Sequence, residues 1–351
     1  MKRSIEVFST NVPDACAAGW ESLESERCPR CSAKCFDETF SAFTPFEWIT
    51  FAYLVWLGAI VIIFYSAIAH PMRDFTIQFA IALAIVLLAR AQKRSQNRLL
   101  HFLRHWYPLP LYIFFFEELQ GLVHAVFRGW FDAYLVAFDH SLFGVHPSVW
   151  LAQFASPALN DFMQFSYMTY FLYLVILPAL LYASRQYASF WRVMCSTALA
   201  NYAIYVIAVL FPIESPYYSL AALNRVPLSG GYCTALIALI EHFGRVHGAA
   251  FPSAHVAGST VAILASWRYR RWLFWLCLPF FISMCVATVY GRYHYCADVF
   301  AGLIVGAIAF QIGSVLIAER RGEEPARIRV PEVLQPQKFS EDFLGPAQIP
   351  E

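Results

Sequence analysis

A stretch of 272 residues, from 47 to 318, carries only 25 charged side chains, about one in eleven. The flanking segments 1–46 and 319–351 hold the other 24 of the chain's 49 charges. About a quarter of the residues in an ordinary globular domain are charged. A region so poor in charge has no water-facing surface to offer and reads as a multi-pass membrane domain. Hydrophobic residues reach 59% and aromatics 17%, which suits two interfacial aromatic belts. The net charge of +1 gives no global field for nucleic acid. Residues 1–15 open with basic side chains but contain no apolar run, so no cleavable signal peptide is expected.

A helix needs about 20 mostly apolar residues to cross the hydrocarbon core. Eight segments qualify, near 48–70, 75–90, 107–127, 162–183, 193–211, 252–267, 273–290 and 298–317. In lipid every backbone N–H and C=O must bond within its own segment or to protein, so such runs form helices. The expected fold is all-α, a multi-pass transmembrane helical bundle of about eight spans. The loops at 90–104, 184–192 and 268–271 together carry ten Lys or Arg and no acidic residue. The positive-inside rule puts all three, and with them both termini, in the cytoplasm. Segments 128–161, 212–251 and 291–297 then face the other side. Residues 128–161 read as one or two amphipathic helices lying in the interface.

The expected organisation has four parts. Residues 1–46 form a cytoplasmic segment with Cys16, Cys28, Cys31 and Cys35. Residues 47–106 add two spans and a basic loop, 107–318 form a six-helix membrane domain, and 319–351 form a disordered cytoplasmic tail rich in Pro and charge. The cysteine spacing, Cys-x2-Cys-x3-Cys without a second Cys-x2-Cys pair, favours reduced thiols over a zinc site.

Two segments on the expected outer face carry chemistry. Phe251-Pro252-Ser253-Ala254-His255 opens the sixth span, and Gly291-Arg292-Tyr293-His294-Tyr295-Cys296-Ala297-Asp298 joins the seventh to the eighth. The two spans between them return the chain to one membrane surface, so His255 and His294 fall at one depth. Pro252 suits the first turn of a helix and Ser253 suits its cap. The free N–H groups of that helix start would attract an anion, phosphate above all. His294 and Asp298 are four apart and, if this stretch is helical, share one face. The carboxylate can hold one ring nitrogen and leave the other as base or nucleophile. Arg292 offers a planar fork for phosphate oxygens. The same His, His and Asp set is also compatible with a metal site.

The pair PSAH and RYHYCAD resembles the second and third signature motifs of the type-2 phosphatidic acid phosphatase superfamily. The resemblance covers 107–317, the last six spans. The ending HYxxDVxAG, with Arg close before the His, is most similar to the inositol phosphorylceramide synthase branch and its bacterial relatives. It implies His294 as nucleophile, Asp298 as its activating partner and His255 as the acid that protonates the leaving oxygen. The implied reaction is double displacement through a phosphohistidine. The phosphoryl group of a lipid phosphate passes to water or a lipid hydroxyl, with no metal or other cofactor required. Ser253, Arg292 and Arg245 are the expected phosphate-binding residues, Arg245 because its loop leads into PSAH.

The sequence departs from the family in two places. The phosphatases' Arg six residues before the nucleophilic His is Thr288 here, and Tyr217 stands where the first motif would supply Arg. The HYxxDVxAG ending and the missing phosphatase Arg favour transfer of the inositol phosphorylceramide synthase kind over plain hydrolysis of phosphatidic, polyprenyl or sphingoid phosphate. A transporter or scramblase using the cavity only for binding is the rival from another class. Glu117 and Glu118, with His124 seven residues past Glu117, sit in the third expected span and are candidates for a substrate hydroxyl contact.

Overall fold

The computed structural model describes residues 43–95, 97–244 and 246–317. The four N-terminal cysteines, Arg245 and the tail at 319–351 lie outside the described residues.

Described residues form helices almost throughout. Six helices are long and apolar enough to cross a membrane: α1 (Pro45–Ile63), α2 (Pro71–Arg94), α8 (Pro157–Ala183), α9 (Tyr187–Leu210), α13 (Arg271–Tyr290) and α14 (Cys296–Leu316). Between them run α3 (Arg98–Trp106), α4 (Pro108–Glu118), α5 (Val123–Val126), α6 (Asp132–Phe143), α7 (Pro147–Ala152), α10 (Pro216–Ser219), α11 (Tyr232–Gly244) and α12 (Ala254–Tyr269). The chain is an integral membrane protein.

Two of the eight expected spans take a different form. The one at 107–127 is not continuous: α4 gives way to a 3-10 turn at Leu119–Gly121, then to the single turn of α5. Gly121 lies in that turn, where its low helix propensity favours a break. The one at 252–267 becomes α12, with 16 residues. At 1.5 Å per residue it is about 24 Å long, short of the ~30 Å hydrocarbon core. It lies inside the bundle, packed on α8, α9, α13 and α14. The segment 128–161 forms two short helices, α6 and α7, before α8 begins.

Close packing of α12 on α14 sets the position of the site. Gly302 and Gly306 give α14 a small-residue stripe at the i, i+4 spacing that lets helices approach. A Cβ at Gly302 would lie 2.7 Å from the Ser253 carbonyl oxygen, and one at Gly306 would lie 2.5 Å from that of Ala257. Neither position accepts a side chain, so the N-terminal ends of the two helices are brought side by side.

All three basic loops gather at the other end of the bundle. Arg270 donates to Ser184 Oγ and Gln186 Oε1, both at 3.1 Å, and His101 of α3 meets the Tyr182 hydroxyl at 3.2 Å. Arg192, at the start of α9, donates to the Ile317 carbonyl beyond α14 and to the Tyr269 hydroxyl at the end of α12. A basic side chain on the last carbonyls of a helix satisfies groups that have no partner within it.

Candidate active site

Helix α12 starts at Ala254, so Ser253 is its cap and Pro252 precedes the cap instead of occupying the first turn. Ser253 Oγ accepts from the Val256 N–H at 3.3 Å, and the Ser253 N–H donates to the Asp298 carbonyl at 3.1 Å. His255 is the second residue of the helix, and its ring centroid lies 5.9 Å from that of His294.

His294 is buried, and its Nδ1 lies 2.8 Å from the Ala250 carbonyl and 3.2 Å from Asp298 Oδ2. A carbonyl only accepts, so Nδ1 must carry the proton. In the neutral ring that leaves Nε2 with a free lone pair. Asp298 has no exposed surface. Its Oδ2 also accepts the Tyr295 N–H at 2.9 Å, while Oδ1 has no hydrogen-bond partner. The structure therefore brings His255, His294, Asp298 and Ser253 together.

Arg292 is seven per cent exposed and sits in the left-handed backbone region at φ 64°. A non-glycine residue there costs about 1–2 kcal/mol. Its NH2 group donates to the Val226 carbonyl at 2.6 Å, and its Nε is buried without a partner. Burial lowers the guanidinium's pKa. The Arg292 carbonyl accepts the Tyr217 N–H at 3.1 Å. Tyr217 thus supports the Arg292 turn through its backbone, while Thr288, fully buried, accepts the Tyr293 and His294 N–H groups on its carbonyl. Ser215, beside Tyr217's helix α10, also has positive φ, 127°. Strained backbone of this kind persists where surrounding contacts over-determine it.

Those contacts come from a helix that sequence reasoning assigned no chemistry. Asp132 and Asp139 are seven apart on α6 and share one face. Asp132 accepts from the Glu214 N–H at 2.9 Å, the Ser215 N–H at 3.3 Å and the Tyr295 hydroxyl at 2.7 Å. Asp139 accepts from the Cys296 and Ala297 N–H groups at 2.8 and 3.0 Å. It thereby occupies the first N–H groups of α14. The anion-binding donors that remain are those of α12, beside His255. Burial raises the Asp139 pKa, and the two N–H donors partly offset it.

Tyr167 was likewise missed. Its hydroxyl lies 2.9 Å from His255 Nε2, and the rings of Tyr167 and Tyr170 lie 4.6 and 4.5 Å from the imidazole. Tyr293 stacks on Tyr167 at 4.5 Å and donates to Gln164 Oε1 at 3.0 Å. A signal was present in the sequence. Asn160, Gln164, Tyr167 and Tyr170 are spaced by four, three and three along a mostly apolar span, and polar groups at membrane depth mark function.

Glu118 and His124 of the third expected span bond elsewhere. Glu118 accepts from Gln78 of α2 at 2.7 Å, and His124 donates to the Phe127 carbonyl at 3.0 Å. Among the described residues no group of three His, Cys, Asp or Glu side chains is arranged to hold a metal ion.

A family model, the PAP2 superfamily, matches residues 133–312, just over half of the chain. The chain belongs to the PAP2 superfamily. No curated protein and no solved structure matches it. The matched region begins within α6 and ends within α14, so it holds every candidate catalytic residue and Asp139. It is shorter than the expected 107–317 and leaves out α4 and α5. Membership supports an enzyme acting on lipid phosphates by hydrolysis or phosphoryl transfer.

Proposed function

We propose that this PAP2 protein is a lipid phosphotransferase working through a phosphohistidine on His294. The observation that carries the reading is the commitment of His294 Nδ1 to the Ala250 carbonyl, which leaves Nε2 as the free nucleophile in a ring 5.9 Å from that of His255. In the first step Nε2 attacks phosphorus and the bond to the leaving oxygen breaks. Protonated His255 gives its proton to that oxygen. Asp298 stabilises the positive charge on His294 that forms as the N–P bond is made. In the second step neutral His255 takes a proton from the acceptor hydroxyl, which attacks phosphorus and restores His294. Tyr167 holds the His255 ring for both transfers. Ser253, the α12 N–H groups and the unpaired Arg292 Nε are the proposed phosphate donors, joined by Arg245.

Supporting transfer over hydrolysis are the HYxxDVxAG ending and the buried Thr288 at the phosphatases' Arg position. The preferred type is inositol phosphorylceramide synthase-like, with a lipid hydroxyl as acceptor. The basic loops support a cytoplasmic position for their end of the bundle, and with it a histidine pair at the opposite membrane surface. Acid quenching is avoided in the test because phosphohistidine is acid-labile. Protein incubated with a 32P-labelled lipid phosphate and quenched in alkali should carry label on His294. In the presence of ceramide or diacylglycerol the label should appear in a new lipid. Free phosphate as the only product would overturn transfer, and absence of label on His294 would overturn the mechanism.

A further inference from the structure

Beside the catalytic turn lies an apolar groove of about 330 Å3, near the lower limit for ligand sites. Cys285 and Val286 of α13 form one wall, Cys296 and Phe300 of α14 another, and Phe143 and Trp150 close it from α6 and α7. No charged side chain lines it. The groove is continuous with the chemistry: Pro147 and Val289 also line the tight recess that contains His294, Tyr295 and Asp139. Cys296 is two residues from His294, so the groove lies within reach of a lipid whose phosphorus is at that histidine.

We propose that the groove seats one hydrocarbon chain of the lipid phosphate whose phosphorus His294 attacks. The assignment rests on the lipid-phosphate reading above. A groove near the lower limit for ligand sites suits a portion of one chain. The chain arrives from bilayer that is already apolar, so the groove gains little from the hydrophobic effect. Its contribution is packing and orientation, which fix the headgroup against the nucleophile. Chain selectivity should therefore come from steric exclusion when the groove is narrowed.

The test compares consumption of lipid phosphates with chains of 4 to 18 carbons by wild type and two variants in lipid nanodiscs. Consumption is followed by mass spectrometry, so hydrolysis and transfer both register. Val286→Trp narrows the groove at a side chain that is 40% exposed and need not disturb the core. The ratio of kcat/KM for a 16-carbon chain over a 4-carbon chain should fall at least tenfold. Ile282→Trp, one turn away on α13 and outside the groove, should change it less than twofold. If Val286→Trp does not fold, Phe300→Ala decides by widening the groove, and the preferred chain should lengthen by two or more carbons. An active wild type whose chain preference neither Val286→Trp nor Phe300→Ala moves overturns the groove assignment alone. A wild type inert towards every chain length overturns the enzymatic reading and the groove with it.

Discussion

At the basic end of the bundle Arg104 donates to both oxygens of fully buried Glu47, at 3.0 and 2.9 Å, and to Gln92 Oε1 at 2.6 Å. Arg192 closes in the same way on the Ile317 carbonyl and Tyr269. At the histidine end Asp298 Oδ1 and Arg292 Nε are buried with no partner. Both ends bury charge within one membrane domain, yet only one satisfies it. A buried polar group left unpaired costs about 1–3 kcal/mol. A fold able to close Arg104 so completely does not need to leave Asp298 open. The contrast separates charge that holds helices together from charge kept available for the reaction.

The comparison breaks most sharply at the nucleophile. His294→Ala should lower the kcat of the folded protein by about 10⁴-fold or more, since nucleophile loss removes nearly the whole chemical advantage. Retained turnover would place His294 with the structural group. At the closed end the opposite pattern is expected. Arg104→Met leaves the Glu47 carboxylate buried without its cation and should destabilise the protein by about 3–5 kcal/mol. The surviving folded fraction should keep its kcat, and a kcat that falls with stability unchanged would reverse the roles assigned to the two ends.

Acid should probe the closed end next. Burial lowers His105 to about 4, aided by neighbouring His101 and Arg104 and opposed by its hydrogen bond to the His101 carbonyl. Its neutral form is the one that fits the fold. That stability is fully present above the unfolded value near ~6.5 and is lost as pH falls towards 4. Wild type should lose up to about 3 kcal/mol across this window, and His105→Gln less. Parallel melting curves over that range would remove His105 from the account.

The smallest expected effect sharpens the open end. Asp139→Asn should reduce kcat by about tenfold with KM within twofold, because Asp139 positions the turn that carries His294 and does not touch phosphate. Burial raises the Asp139 pKa, so its ionised form carries a folding cost that appears as pH rises above about 4. Wild type's stability advantage over Asp139→Asn should shrink along that rise. An unchanged kcat would show that Asp132 and the strained turn hold His294 unaided.

Much of this was legible from the chain itself. Apolar runs poor in charge dictate membrane helices because lipid offers no partner to the backbone. Asp298 meets His294 four residues away, but His294 precedes α14, so the turn before the helix and not the 3.6-residue repeat sets that pairing. The return of the chain to one surface brings His255 and His294 to one depth. Those are local or topological properties, written in order and spacing. What packing alone decided is of another kind. Asp132 meets Tyr295 across 163 positions of sequence, and Tyr167 meets His255 across 88. Such pairings depend on how closely α12 and α14 approach at Gly302 and Gly306, and on which carbonyl takes the proton of His294. Sequence spacing carries no term for contacts between distant helices, so the choice of the free nitrogen belongs to the tertiary structure.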